Sequence, residues 1–324
     1  MLQRVFDSII SPSTRAFWRE SRSSGQSVAE FLHGYIYMRW PYFYIAMGKG
    51  THPLAEKMGE PLARIANMLG LWRPDSPAQG SGGFADTYHG KTIPPAAARK
   101  LITVRREITV PDLEKVIPYS MARAIILQHP DHIALLDCPC RLSEPDHCTP
   151  VDVCLIVGEP FAGFILEHHP EKSRRITQQE ALDVVRRENR RGHVSHAFFK
   201  EALLGRYYAI CNCCSCCCGA MKAHFAGLPM LASSGYLAQV DAGACTGCGA
   251  CEAKCQFSAI RVLETTARVD TAECMGCGIC ELLCPSRAVS LRRAPEKGLP
   301  LEPDNLTGTA AAVAADTCSA GRAD

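Results

Sequence analysis

The sequence predicts an α+β protein, with a mixed helical and α/β N-terminal region followed by a small pseudo-symmetric domain. The chain has 324 residues and 47% hydrophobic residues, which is enough for about two domains with buried cores. Short apolar runs and an amphipathic helix alternate between residues 101 and 235. From residue 240 the pattern VDAGACTGCGACEAKC recurs as VDTAECMGCGICELLC, offset by 29 residues. Two copies of one short motif indicate a small domain with internal symmetry.

Residues 1–75 are predicted to be helical and residues 76–100 to be a linker. Ser27 is a candidate N-cap for a helix that begins VAEFL, and a second helical run covers 54–71. The linker is rich in proline and glycine and contains the string GSGGF. Seven aromatic residues lie between Phe31 and Tyr44; they fit a buried segment, a partner surface or a peripheral membrane contact. No window reaches the roughly 18 apolar residues of a transmembrane helix.

Residues 101–235 are predicted to form a cysteine-rich α/β domain. A helical stretch runs from Pro111 to Leu127, and strand-like runs at 132–137, 154–158 and 207–210 follow. Two of these runs lead directly into cysteines. Thr177 and Glu180 form a capping box for a helix ending near Gly192. Its arginine-rich side is typical of a solvated face; docking of an acidic redox partner and DNA binding are the alternatives.

Each copy of the repeat has the spacing CxxCxxCxxxC, in which three thiols surround an iron–sulfur cube and the fourth reaches the cube of the other copy. One cluster is therefore predicted to take four thiols from both copies: Cys245, Cys248, Cys251 and Cys284. The other takes the remaining four: Cys274, Cys277, Cys280 and Cys255. Zinc is the alternative, but structural zinc sites pair two CxxC knuckles.

Residues 240–291 resemble a bacterial-type ferredoxin with two [4Fe–4S] clusters, including Pro285 after the last cysteine. Gln256 departs from that pattern, because the family usually has proline at this position. The departure removes no ligand. The resemblance implies a ferredoxin-like dicluster fold and single-electron transfer.

Ten further cysteines lie upstream, in two groups that each begin at the end of a predicted strand. They are Cys138, Cys140, Cys148 and Cys154, then Cys211, Cys213, Cys214, Cys216, Cys217 and Cys218. Crowded thiolates repel one another unless cations hold them, so an additional iron–sulfur cluster is favoured over zinc and over reactive thiols. Spacing alone does not say which of them ligate. The order of these motifs before a ferredoxin domain is similar to that in loosely characterised ferredoxin-like proteins of anaerobic bacteria.

Other polar residues near these cysteines have more ordinary predicted roles. Arg141 is predicted to pair with a cluster sulfur or an anionic substrate. Solvent exposure is the default for His147, His168, His169, His193 and His196, with metal ligation as the alternative for His147 beside Cys148.

The sequence therefore predicts an iron–sulfur electron-transfer protein with two [4Fe–4S] clusters and a further metal cluster upstream. The alternatives are a reductase with its active site at the upstream cysteines, and a redox sensor. A redox partner protein or a larger oxidoreductase complex is the expected partner, with no nucleic acid favoured. So many free thiols predict a reducing cytoplasm. Residues 300–324 are predicted to be disordered, with Cys318 unpaired.

Overall fold

The computed structural model describes residues 10–55, 57, 88–103 and 128–302. Most of the helix predicted at 54–71 lies outside these residues. The same holds for the helical stretch at 111–127 and the tail that contains Cys318. The described residues combine helices with mixed and antiparallel sheets, which confirms the α+β class.

Three helices open the described chain: α1 (Pro12–Ser23), α2 (Val28–Arg39) and α3 (Pro41–Gly48). Ser27 caps α2 in a complete capping box with Glu30, as predicted. The aromatic segment divides between core and surface, because Phe31 and Tyr37 are buried whereas Trp40 is 48% exposed. No helix in the described ranges is long and apolar enough to span a bilayer.

A seven-stranded sheet forms the centre of the molecule, with the order β4-β2-β3-β6-β5-β1-β7. Its strands are β1 (Tyr88–Thr92), β2 (Gln128–Asp137), β3 (Asp152–Glu159), β4 (Ser173–Ile176), β5 (Val194–Lys200), β6 (Arg206–Cys213) and β7 (Leu231–Ala232). Neighbouring strands are antiparallel except β1 and β7. The strands β2, β3 and β6 correspond to the three apolar runs of the sequence.

The end of the predicted linker is instead part of this sheet. Residues 88–92 form β1, which pairs with β5 along its full length, and helix α4 (Pro95–Thr103) follows. The linker prediction was therefore wrong for residues 88–100. The prolines mislead here because Pro94 and Pro95 lie at the start of α4, where a missing backbone N–H costs nothing.

Helices cover both faces of the sheet. On one face, α4 and α7 (Gln178–Arg190) pack over an aliphatic core that includes Leu155 and Ile210. The other face carries α1, α2 and α6 (Phe161–His168). Two short helices start at cysteines, α5 (Pro139–Leu142) after Cys138 and α8 (Gly219–Phe225) after Cys218. The cysteines of the upstream groups lie on this second face or beside it.

The repeat folds into two antiparallel ribbons with a short helix after each three-cysteine loop. Strand β8 (Tyr236–Val240) pairs with β11 (Val289–Arg293), and β9 (Ile260–Leu263) pairs with β10 (Thr266–Val269). The helices are α9 (Ala250–Lys254) and α10 (Ile279–Leu283), and a 3-10 turn at Pro295–Lys297 ends the unit. Phe257 of this unit packs near the rings of His196 and His224, so the unit lies against β5 and α8.

Candidate metal centres

The repeat surrounds two small cavities, each lined by four cysteines. The cavity of about 20 Å³ is lined by Cys255, Cys274, Cys277 and Cys280. The cavity of about 10 Å³ is lined by Cys245, Cys248, Cys251 and Cys284. These are the two sets that the crossed spacing predicts, with the fourth thiol of each copy at the cavity of the other. Ligation by these residues stays a prediction.

Backbone groups in the repeat point at the sulfur atoms. The amide of Ala259 donates to Cys255 Sγ at 3.3 Å, and the amide of Ala288 donates to Cys284 Sγ at the same distance. Such donors stabilise negative charge on thiolate sulfur. Partial burial opposes ionisation of Cys284, but hydrogen bonds from Ser286 and the backbone hold the pKa of Cys284 below its ordinary value. The two sets thus fit thiolate ligation of a cluster.

The two cavities differ in burial. Cys274 and Cys277 are less than 10% exposed, whereas Cys248 is an exposed residue. Burial raises the pKa of the Cys277 thiol and raises that of Cys280 to about 12. A cluster at the cavity lined by Cys274 and Cys277 is therefore farther from water than one at the other cavity. Solvent exposure is one determinant of the reduction potential of a cluster.

Six of the upstream thiols form a ring around a much larger cavity, of about 350 Å³. Taken around the ring, each thiol interacts with the next: Cys211, Cys154, Cys138, Cys140, Cys218 and Cys213. We call this set the thiol ring. Cys154 and Cys211 are register partners on β3 and β6, and Cys213 projects from the same face two residues later. Cys138 and Cys218 stand at the starts of α5 and α8.

The thiols of the ring are buried, and their pKa values are shifted in opposite directions. Cys138, Cys154, Cys213 and Cys218 are each at most 7% exposed. Hydrogen bonding to Cys140 and Cys154 raises the pKa of Cys138. Bonding from Cys218, with a contribution from His196, lowers the pKa of Cys213 to about 6. Ionisation of one thiol therefore disfavours ionisation of its neighbours, and a ring of thiolates needs cations between them.

The other four upstream thiols form a compact set that we call the thiol quartet. The Sγ atoms of Cys148, Cys214, Cys216 and Cys217 lie within 4.8 Å of one another. Cys217 is buried, whereas Cys216 is exposed, so the quartet reaches the surface. The quartet takes one member from the first upstream group and three from the second. The first upstream group is therefore divided, with Cys148 in the quartet and Cys138, Cys140 and Cys154 in the ring.

Lys49 joins the loop that contains Cys140 to the loop that contains Cys217. Its Nζ donates to the carbonyl oxygens of Cys140 at 3.0 Å and Cys217 at 2.9 Å, and to Ser143 Oγ at 2.8 Å. An ion pair with Glu144 completes its surroundings. The side chain is 8% exposed and also lines the large cavity. No local pattern predicted this role, since Lys49 lies 91 positions from Cys140 in the sequence.

Arg141 borders the large cavity, but its guanidinium group is held by groups of the protein framework. Its predicted pairing with a cluster sulfur or an anionic substrate stays a prediction. Its guanidinium is 1% exposed and donates to Glu188 at 2.9 Å and to the carbonyl of Asn212 at 3.2 Å. The pair joins the loop that follows Cys140 to α7 and β6. The positive charge of Arg141 therefore stabilises the buried carboxylate of Glu188, because a buried carboxylate needs a paired cation.

None of the five histidines with a predicted default of solvent exposure is fully exposed, and for His193 and His196 the prediction was wrong. His193 is 8% exposed and lies 2.7 Å from Glu188, and His196 is fully buried. His196 is the register partner of Cys211 across β5 and β6. His147, His168 and His169 are half-buried.

Gln256 connects the repeat to the second cysteine loop. Its Oε1 accepts hydrogen bonds from the backbone amide of Ser215 at 2.8 Å and from Ser215 Oγ at 3.0 Å. Ser215 lies between Cys214 and Cys216 of the quartet, and Gln256 directly follows Cys255. The departure from proline at this position thus provides the contact between two cysteine sites.

Among the parts of the chain, the repeat is the one for which the comparison with known proteins finds a match. Residues 244–288 match the family model of the 4Fe-4S dicluster domain, which confirms the resemblance of this region to a dicluster ferredoxin. No curated protein and no solved structure matches the chain.

Proposed function

We propose that this chain is an iron–sulfur electron-transfer protein that relays single electrons through two [4Fe–4S] clusters to a further metal centre among the upstream cysteines. When bound, each cluster supplies one-electron redox chemistry at the sulfur-lined cavities of the dicluster domain. The eight cysteines of that domain hold the clusters. The upstream thiols hold the further centre.

One observation supports the path of this relay from the dicluster domain to the upstream cysteines. The hydrogen bonds between Ser215 and Gln256 join the quartet loop to the residue after Cys255, at the more buried of the two dicluster cavities. A cluster held in that cavity would be joined to the upstream thiols by a short, hydrogen-bonded stretch of chain. The other cavity, with exposed Cys248, is the side at which a donor protein approaches.

The expected partner is a redox protein or a larger oxidoreductase complex. Residues 240–291 carry six acidic and four basic side chains, before any cluster charge is counted. A partner with a basic surface is therefore favoured at this domain. The many free thiols favour a reducing compartment such as the cytoplasm.

The relay is tested by anaerobic purification, quantitation of iron and acid-labile sulfide, and EPR of the reduced protein. We expect at least about eight irons per chain from the two dicluster sites, plus the metal of the upstream centre. Colourless protein, or protein with zinc and no sulfide, overturns the proposal.

The contact itself is tested by Gln256→Ala, with Gln239→Ala on the exposed side of β8 as the control. After rapid mixing with dithionite, freeze-quenched EPR should show the dicluster reduced at the wild-type rate in both variants. Reduction of the upstream centre should slow several-fold in Gln256→Ala only. Equal rates in the two variants would show that electrons do not pass through this contact.

A reductase is the second candidate function, favoured by the cavity of about 350 Å³ inside the thiol ring. Apolar side chains such as Ile156, Phe198 and Met230 complete its lining. A cavity of this size is in the range of small-molecule sites. Turnover of an added electron acceptor by reduced protein, lost on replacement of Cys154, would favour this function over simple relay.

A further inference from the structure

The thiol quartet has the spacing of a site for one metal ion. Cys148 Sγ lies 3.2 Å from Cys216 Sγ, which lies 3.6 Å from Cys217 Sγ. A tetrahedral ion with bonds of about 2.3 Å to sulfur separates its ligands by about 3.8 Å. The four thiols therefore need only small shifts to surround a single ion.

The thiol ring is spaced differently. Among the described residues, the quartet is the set of cysteines whose thiols all lie within 4.8 Å of one another; no three thiols of the ring do so. Neither do the thiols around the two dicluster cavities, which fit clusters rather than single ions. The ring thus resembles the cluster-holding type of site, with a larger cavity and six thiols in place of four.

We propose that the ten upstream cysteines form two metal centres of different nuclearity. The quartet binds one thiophilic ion, zinc or iron, through four thiolates. The thiol ring binds a polynuclear iron–sulfur cluster. This division rests on the proposed function, because it specifies the upstream centre to which the dicluster domain is connected.

The second cysteine string explains how two sites arise from one loop. Cys213 and Cys214 are adjacent in sequence but belong to the ring and the quartet respectively, and Cys217 and Cys218 are divided in the same way. Neighbouring side chains point in different directions, so a dense string supplies two sites at once. Cys214 and Cys217 also border the large cavity, which places the quartet against the wall of the ring.

Two double variants separate the centres in the full chain: Cys148→Ser with Cys216→Ser, and Cys154→Ser with Cys211→Ser. Each double variant is the control for the other, and the wild-type protein is the reference. Metal content by mass spectrometry and acid-labile sulfide are measured on anaerobic protein. The quartet variant should lose about one metal ion per chain and no sulfide. The ring variant should lose about four or more irons with a similar amount of sulfide.

Both variants should keep the EPR signals of the reduced dicluster domain. Loss of those signals from the wild type would contradict the proposed function, whereas the division into two centres fails on other results. It fails if the quartet variant loses sulfide together with iron, or if the ring variant retains all of its metal.

X-ray absorption of the wild-type protein keeps the test valid even if the ring variant does not fold. The quartet ion, recognised by its loss from the quartet variant, should show four sulfur neighbours at about 2.3 Å and no metal neighbour. A metal–metal distance at that ion overturns the assignment. A wild-type total of about eight irons and no other metal overturns both centres.

Discussion

The dicluster domain and the thiol ring both surround a cavity with cysteines, but they assemble their thiols in different ways. All eight dicluster thiols lie within residues 245–284, and each loop supplies three in succession. The ring takes its thiols from β3, β6 and α5 and from the residues that precede α5 and α8. A site made by one loop depends on local backbone geometry, whereas a site made across a sheet depends on the framework that holds its segments together.

The largest expected effect is on that framework. Arg141→Met leaves Glu188 without its buried arginine partner, and breaking a buried ion pair costs about 3 to 5 kcal/mol of unfolding free energy. Arg186→Met is the control, because its pair with Asp183 is more than half exposed and contributes at most about 1 kcal/mol. Denaturant unfolding measures both. Similar losses in the two variants would contradict a framework role for Arg141.

The next largest effect is expected in the dicluster domain, whose cysteine loops depend on local backbone geometry. A Cβ at Gly276 would lie 2.1 Å from the carbonyl oxygen of Tyr236, at a φ of +62°, whereas one at Gly249 would meet nothing within 4 Å. Gly276→Ala should destabilise the domain by about 2 to 4 kcal/mol, and Gly249→Ala by about 1 kcal/mol from its left-handed backbone alone. Thermal melts with cluster absorbance give the comparison. Equal melting temperatures in the two variants would contradict this expected difference.

A smaller effect is expected at Lys49. Lys49→Met removes three hydrogen bonds to the cysteine loops and should cost about 2 kcal/mol, with metal lost from the upstream thiols before the dicluster domain. Lys222→Met is the matched control, because this half-exposed lysine also pairs with Glu144 and should contribute under about 1 kcal/mol. Chelator challenge followed by metal analysis measures the order of loss. Loss from the dicluster domain first would contradict the proposed link.

Local patterns predicted those parts of the fold that local interactions determine. The capping boxes at Ser27 and Thr177, the three apolar strands and the dicluster repeat all depend on residues close in sequence. The division between ring and quartet depends on β3 pairing with β6, which no spacing encodes. The buried pair of Arg141 and Glu188 joins residues 47 positions apart, so the sequence could not distinguish it from a ligand-binding arginine.

The spread of the ring across the sheet also has a consequence for biosynthesis. A dicluster loop has three thiols together as soon as it is synthesised, so it can capture iron before the rest of the chain has its final form. The ring exists only after β2, β3 and β6 have paired. A metal bound by the ring would therefore be delivered to an already folded sheet, as a late step of maturation.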